Sequence, residues 1–318
     1  MAARTPVAQL PDGQETVSVK LINPVNFGPA VIKRFMAPAV SGVDTFTTSP
    51  SLCFLLEHLS GRKLVWDLGI RKDYHNYAPA ITSYLPTTKY NIEVTKNLVE
   101  ILGDGGIAAR DVEAVIWSGR NLREISFEGL DTLRIGKFPA FDYFGDGSFY
   151  LLDSPGHAVG HLCGLARTSK SPHVPDSFIL LGGDVCHYAG IFRPSKHLPV
   201  PDSISPHPCH PHEGSSVLCP GSAWDELQES RGRGKLDTLY DATYGLDIPL
   251  VAKTVESLQE IDCDENVLVI IAHDSTVRDA VPHFPSSLNA WKSEGWGELV
   301  KWAFFRDLEA YWKTKSLY

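Results

Sequence analysis

Residues 143–167 read YFGDGSFYLLDSPGHAVGHLCGLAR. Two apolar runs within this stretch, Ser148–Leu152 and His161–Ala166, are of strand length and are bounded by Gly- and Pro-bearing turns. Between them lies Ser154-Pro155-Gly156-His157, a polar turn that leaves the C-terminal end of a strand. The same arrangement recurs three times. Val65-Trp66-Asp67-Leu68-Gly69 ends a strand in Asp-x-Gly, Gly182-Gly183-Asp184 follows the apolar run Phe178–Leu181, and Ala272-His273-Asp274 follows Val267–Ile271. Each puts an Asp or a His at the C-terminal edge of an apolar strand. Such edges gather ligands in layered α/β folds, because the strand is rigid there and the loop beyond it is exposed.

Working outward, Thr16–Ile22, Leu52–Glu57, Lys63–Trp66 and Ala114–Trp117 read as further strands, and Arg123–Ile135 as a weak hairpin. Helical periodicity marks Asn91–Leu102, Ile248–Ile261 and Gly297–Trp312. This order predicts an α/β or α+β layered enzyme with one core: a loose segment over residues 1–15, then a single domain over 16–318. Residues 194–220 are rich in Pro and His and lack apolar periodicity, so they are expected to form a long surface loop.

Composition narrows the function. The 318 residues carry 29 Lys plus Arg against 38 Asp plus Glu, a net charge of −9. That balance excludes a general nucleic-acid binder and a protein that docks on anionic lipid, since both need a basic face. The longest purely apolar run, Val267–Ala272, falls far short of the ~20 residues that span a bilayer. The first residues show no apolar stretch of a secretory signal. Six Cys without a CxxC pair suit reduced thiols and a cytoplasmic setting. A small-molecule substrate is the expected partner.

His157, Asp184 and His273, from three strand ends, suit a metal such as Zn²⁺, because imidazole and carboxylate are its ligands and a carboxylate bridges two ions. Singly, each has an ordinary reading as a turn residue or helix cap. His161, four residues after His157, and His187, three after Asp184, are expected beside the ligands rather than on the metal. Cys209-His210-Pro211-His212 matches no tetrahedral spacing and reads as loop. Trp291 and Phe284 are expected in the core, with a substrate wall as the alternative.

The order Asp-x-Gly, Ser-Pro-Gly-His, Gly-Gly-Asp, Ala-His-Asp resembles the metallo-β-lactamase superfamily, and most nearly its fungal lactonase- or lactamase-like branch. The stretches VWDLGIRKDYHNYAP, YFGDGSFYLLDSPGHAVGHLCGLAR and GGDVCHYAGIFRPS, and the Pro-rich loop before CPGS, carry the resemblance. It implies an αββα sandwich with one or two zinc ions at one sheet edge and hydrolysis of a cyclic ester or amide, or of a thioester. By that resemblance His157 and Asp184 belong to the first zinc site, Asp184 bridges, His273 belongs to the second, and Asp67 supports the site without binding metal.

The chain departs from that pattern at one place. The family's His-x-His-x-Asp-His follows a strand of the type found at Ala114–Trp117. Here the strand runs into Ser118-Gly119-Arg120-Asn121-Leu122-Arg123-Glu124, and no His occurs between His75 and His157. An internal deletion of a few dozen residues at Ser118/Gly119 accounts for this. It removes two ligands of the first zinc, an Asp and a His of the second, and the Asp that orients the attacking water. Each surviving site keeps at most two ligands, whereas catalytic zinc takes about three. Zinc binding is therefore expected to be weak or absent and hydrolysis impaired, with no residue assigned a catalytic role. The lineage reads as a hydrolase of small lactones, lactams or cyclic carbamates, a benzoxazolinone-type xenobiotic among the candidate substrates. The alternatives are a catalytically dead or truncated relative that binds a ligand, and a thioesterase of a biosynthetic cluster.

Overall fold

The computed structural model describes residues 7–46, 48–116, 125, 127, 133–211 and 216–318. The junction at Ser118/Gly119 and most of the hairpin expected over 123–135 lie outside the described residues.

Two sheets face each other. The first has the order β1 (Val17–Ile22), β2 (Cys53–His58), β3 (Lys63–Trp66), β4 (Ala114–Ile116). Its β1–β2 and β2–β3 pairs are antiparallel, and β4 lies parallel to β3. The second runs β5 (Arg134–Ile135), β6 (Phe138–Asp142), β7 (Phe149–Asp153), β8 (Leu162–Ser169), β9 (Ser177–Gly183), β10 (Val267–Ile271). It is antiparallel as far as β9, which then pairs in parallel with β10.

Alternation along each strand builds the layers. Val17, Val19, Leu21, Phe54, Leu56, Leu64 and Trp66 of the first sheet meet Phe149, Leu151, Ala166, Ile179, Leu181, Leu268 and Ile270 of the second in one buried cluster. The opposite faces are covered by helices. Ile22, Cys53, Leu55 and Val65 pack under Leu98 and Leu102 of the short helix α2 (Leu98–Asp104), which follows α1 (Pro79–Thr88). Leu152, Leu165, Phe178, Leu180, Val267 and Val269 pack against α3 (Gly221–Ser230), α4 (Ile248–Asp262) and the aromatic C-terminal segment. The fold is an αββα sandwich.

Several expectations are revised. Asn91–Leu102 is not one helix: Asn91–Glu93 pairs as a strand with Asn26–Gly28, and the helix starts only at Leu98 behind the Asn97 capping box. The C-terminal helix is broken. Short helices α6 (Trp296–Lys301) and α7 (Glu309–Thr314), which follow α5 (Ser275–Ala280), flank a 3₁₀ stretch over Ala303–Leu308 that buries Phe304, Phe305 and Leu308. The Pro-rich loop is partly internal: Ser195, Leu198, Ile204, His207 and Leu218 are buried, and Ile204 bridges to Leu218. The described part of the N-terminal segment is tied down, with Pro11 O accepting from Arg167 Nη2 and Asp12 O from the Tyr150 hydroxyl. No helix among the described residues is long and apolar enough to cross a membrane.

Candidate metal centre

Strand direction gathers the site. Because β9 and β10 are parallel, their C-terminal ends, and so Asp184 and His273, lie side by side. Two antiparallel steps return β7 to the same direction, which brings the turn with His157 to that edge and the start of β8, with His161, next to it. Gly156 (φ +127°) is required where the His157 turn meets α4, since a Cβ would fall 2.5 Å from Val251 N. The turn is held there by Asp247 N donating to Gly156 O and Leu246 N donating to His157 O, both at 3.0 Å. Asp274 caps α5, accepting from Thr276 N and Val277 N, so the chain turns sharply after His273.

Asp184 is the centre of the cluster. His273 Nε2 lies 3.0 Å from Asp184 Oδ1, and His157 Nε2 lies 3.7 Å from Oδ2. The carboxylate keeps 34% of its side-chain surface open to the adjoining cavity, while Oδ1 itself is enclosed. That 3.0 Å contact is an ion pair, and no other donor among the described residues reaches Oδ1. His157 Nδ1 is buried and has no hydrogen-bond partner among the described residues. His187 joins them: one donor atom each of Asp184, His187 and His273 lie within 4.8 Å of one another. The His187 ring stacks on His273 at 5.5 Å and sits 5.1 Å from His157.

The surrounding groups set charge and tautomer. Pro50 O accepts from His273 Nδ1 at 2.8 Å, which turns Nε2 toward Asp184. Burial opposes a charge on His273, but the Asp184 carboxylate outweighs it and raises its pKa. Burial likewise pushes Asp184 upward, yet His273 holds it far below the usual carboxylate range. Burial lowers His157 and His161 and takes His187 down to about 3, so His187 is neutral. His161 has both ring nitrogens occupied: Nδ1 bonds Ser154 at 2.8 Å (Oγ) and 3.0 Å (O), and Nε2 accepts from Asp184 N at 3.1 Å. It fixes the Asp184 backbone and has no lone pair left for a metal. Asp67, at φ 60°, turns its carboxylate onto Leu68 N and Gly69 N; burial and then the Asp184 charge raise its pKa, so it feels the site without reaching the donor group.

Two cavities meet at His187 and His273. One of about 250 Å³ also touches His157 and Asp184 and is walled by Phe27, Phe35, Phe46, Tyr84, Tyr90 and Tyr244. The other, about 410 Å³, is polar and includes Arg278, Arg306, Asp279 and Asp307. Trp291 and Phe284 line neither: Trp291 is buried with Nε1 donating to Thr168 Oγ1, and Phe284 packs beside Gly105. Of the loop cluster, His207 bonds Leu317 O, and His212 lies outside the described residues.

No family model matches the chain. Curated relatives do. Gamma-lactamase FDB1 of Fusarium pseudograminearum is 33% identical over 95% of this chain and 85% of its own length. Metallo-hydrolase mfmC of Annulohypoxylon moriforme is 33% identical over 95% of this chain and 90% of its own. This chain belongs to the metallo-β-lactamase superfamily, in its fungal lactamase-like branch. Metallo-β-lactamase membership implies a metal cofactor. The chain is also 33% identical to the cytochrome P450 monooxygenase mpaDE of Penicillium roqueforti, of which it spans only 39%. An N-acyl homoserine lactone hydrolase of known structure aligns with 87% of this chain and all of its own at 14% identity, with a TM-score of 0.50, a likeness of fold alone.

The donors here do not fit the family's two-ion centre. By sequence, no His lies between His75 and His157 to complete it. They do fit one ion. The sequence offers at most two ligands per site; the structure adds His187 as a third donor atom within reach of Asp184 and His273. Its only sequence signal was a spacing of three residues after Asp184, which says nothing about direction.

Proposed function

We propose that this metallo-β-lactamase relative is a zinc-type hydrolase of small, neutral cyclic esters, amides or carbamates, with activity reduced by the absent His-x-His-x-Asp-His segment. The observation that carries the reading is the Asp184–His187–His273 donor group opening directly onto an aromatic-walled cavity. Phe27, Tyr84, Tyr90 and Tyr244 suit a flat ring, and a benzoxazolinone-type lactam is the candidate we favour. Asp184, His187 and His273 would hold the ion, which when bound supplies carbonyl polarisation and a lowered pKa for an attacking water. His161 orients Asp184 through its backbone N–H. His157, kept neutral by burial, offers Nε2 as a proton acceptor beside Asp184.

Two observations support impairment. The water-orienting Asp of the family motif has no counterpart after the strand at Ala114–Ile116. The FDB1 alignment runs over 359 positions yet uses 95% of a 318-residue chain, so several dozen positions of that relative face no residue here. The test is ring opening of a lactone, a γ-lactam and benzoxazolinone by zinc-loaded protein, followed by liquid chromatography and mass spectrometry. Slow turnover that is abolished by a chelator and by Asp184→Asn is the expected result. Turnover indifferent to chelation refutes the reading. Saturable binding without turnover selects the alternative, a catalytically dead ligand-binding descendant.

A further inference from the structure

We propose that His187 has become a metal ligand in this chain, so that Asp184, His187 and His273 hold a single divalent ion of zinc's kind where the family pattern implies two. The inference rests on the edge cluster being a metal site, but not on hydrolysis.

Four observations carry it. First, the donor atoms converge. Ligands around a tetrahedral ion with bonds near 2.0–2.1 Å stand roughly 3.3 Å apart. His273 Nε2 and Asp184 Oδ1 already stand at 3.0 Å, and all three donors lie within 4.8 Å, so closing the group takes only a small swing of the His187 ring. Second, His273 is already arranged as metal-bound histidines are: Nδ1–H is donated to the Pro50 carbonyl, and Nε2 points at the centre. Third, the His187 ring is packed among Phe35, Tyr244, His157 and His273, with no hydrogen bond to another described residue using its nitrogens. An imidazole nitrogen not engaged by a protein hydrogen bond is open to a metal ion. Fourth, Asp184 Oδ1 is enclosed, and among the described residues its polar neighbour is His273 Nε2 at 3.0 Å, itself one of the converging donors. An ion between Asp184, His187 and His273 engages both atoms.

The alternatives are weaker on the same ground. His161 cannot replace His187, because its Nε2 lone pair is held by Asp184 N–H. His157 faces the other carboxylate oxygen at 3.7 Å and lies outside the converging group, which places it as a neighbour of the ion rather than a member of the set. Four donors do not fill two sites that need about three each.

The test uses the full chain, stripped with a chelator and reloaded with Zn²⁺ or Co²⁺. Metal per chain is measured by mass spectrometry, and affinity by competition with a chromophoric chelator. Wild-type protein is expected to hold one ion. His187→Ala should weaken binding at least a hundredfold, while His157→Ala should change it less than tenfold. His187→Cys guards against misfolding: if the position ligates, its Co²⁺ form acquires a thiolate-to-metal charge-transfer band in the near ultraviolet. Two ions per chain, unchanged affinity in His187→Ala, or a metal-bound His187→Cys protein without that band overturns the proposal. Metal bound through residue 187 without any ring opening would leave it standing and refute the hydrolase reading. Ring opening with His187-independent binding would do the reverse.

Discussion

Asp262→Asn offers the sharpest test of what holds the segment after His187 in place. Arg193 and Asp262 are both almost fully buried, at 2% and 1% side-chain exposure. Their contact is bidentate, Nε to Oδ2 at 2.8 Å and Nη2 to Oδ1 at 2.5 Å, while Nη1 donates to Lys301 O at 2.8 Å. The pair joins the end of α4 to the chain just beyond His187 and to the end of α6. Asn removes the negative charge with little change in shape and strands a buried guanidinium. Breaking a buried pair in this way costs about 3–5 kcal/mol. With an m-value of about 3 kcal/mol/M in urea, the unfolding midpoint should fall by roughly 1–2 M. Urea unfolding followed by tryptophan fluorescence and circular dichroism measures it. The double variant Arg193→Met, Asp262→Leu, which removes both charges, should recover most of the loss. A midpoint that moves by less than about 0.3 M in Asp262→Asn would mean a pair worth about 1 kcal/mol, typical of exposed pairs, and would refute the reasoning.

Three further outcomes are expected. His161→Phe deprives Asp184 N–H of its acceptor and should cost about 1–3 kcal/mol of stability and weaken metal binding 10- to 100-fold; unchanged affinity would show that Asp184 does not need this support. In metal-free protein, His187 has a folded pKa of about 3 against an ordinary 6.5, so its contribution to stability is whole above about pH 6.5 and is lost as pH falls toward 3; urea midpoints across that range should slope less in His187→Gln, and equal slopes would count against it. Inserting a His-x-His-x-Asp-His segment with its following helix after Ser118 should raise metal content from one ion to two and increase ring opening at least a hundredfold; a two-ion protein with unchanged turnover would place the impairment elsewhere.

The sandwich and its working edge were legible because they depend on short-range pattern. Val267–Ile271 is apolar at every position and so reads as a strand buried on both faces, which is how it packs beside β9. The aromatic cavity was not legible. Phe27, Phe35, Tyr84, Tyr90 and Tyr244 come from separated segments, and α1, which supplies Tyr84, has only a weak periodic pattern broken by Pro86. In the C-terminal segment Trp302, Phe304, Phe305 and Trp312 satisfy a helical face in sequence, while packing against Trp224 and the sheet favours a tighter turn in between.

By itself, the sequence determined the layered fold, the four strand ends that meet at one edge, the places of Asp184 and His273, and the absence of a His-x-His-x-Asp-His motif, all properties of strand period, turn chemistry and residue identity along the chain. Tertiary structure alone decided the position of His187. Three residues beyond Asp184, its direction depends on how the turn after β9 packs against Phe35 and Tyr244, and those contacts lie about 150 and 57 residues away in the chain, beyond any local pattern.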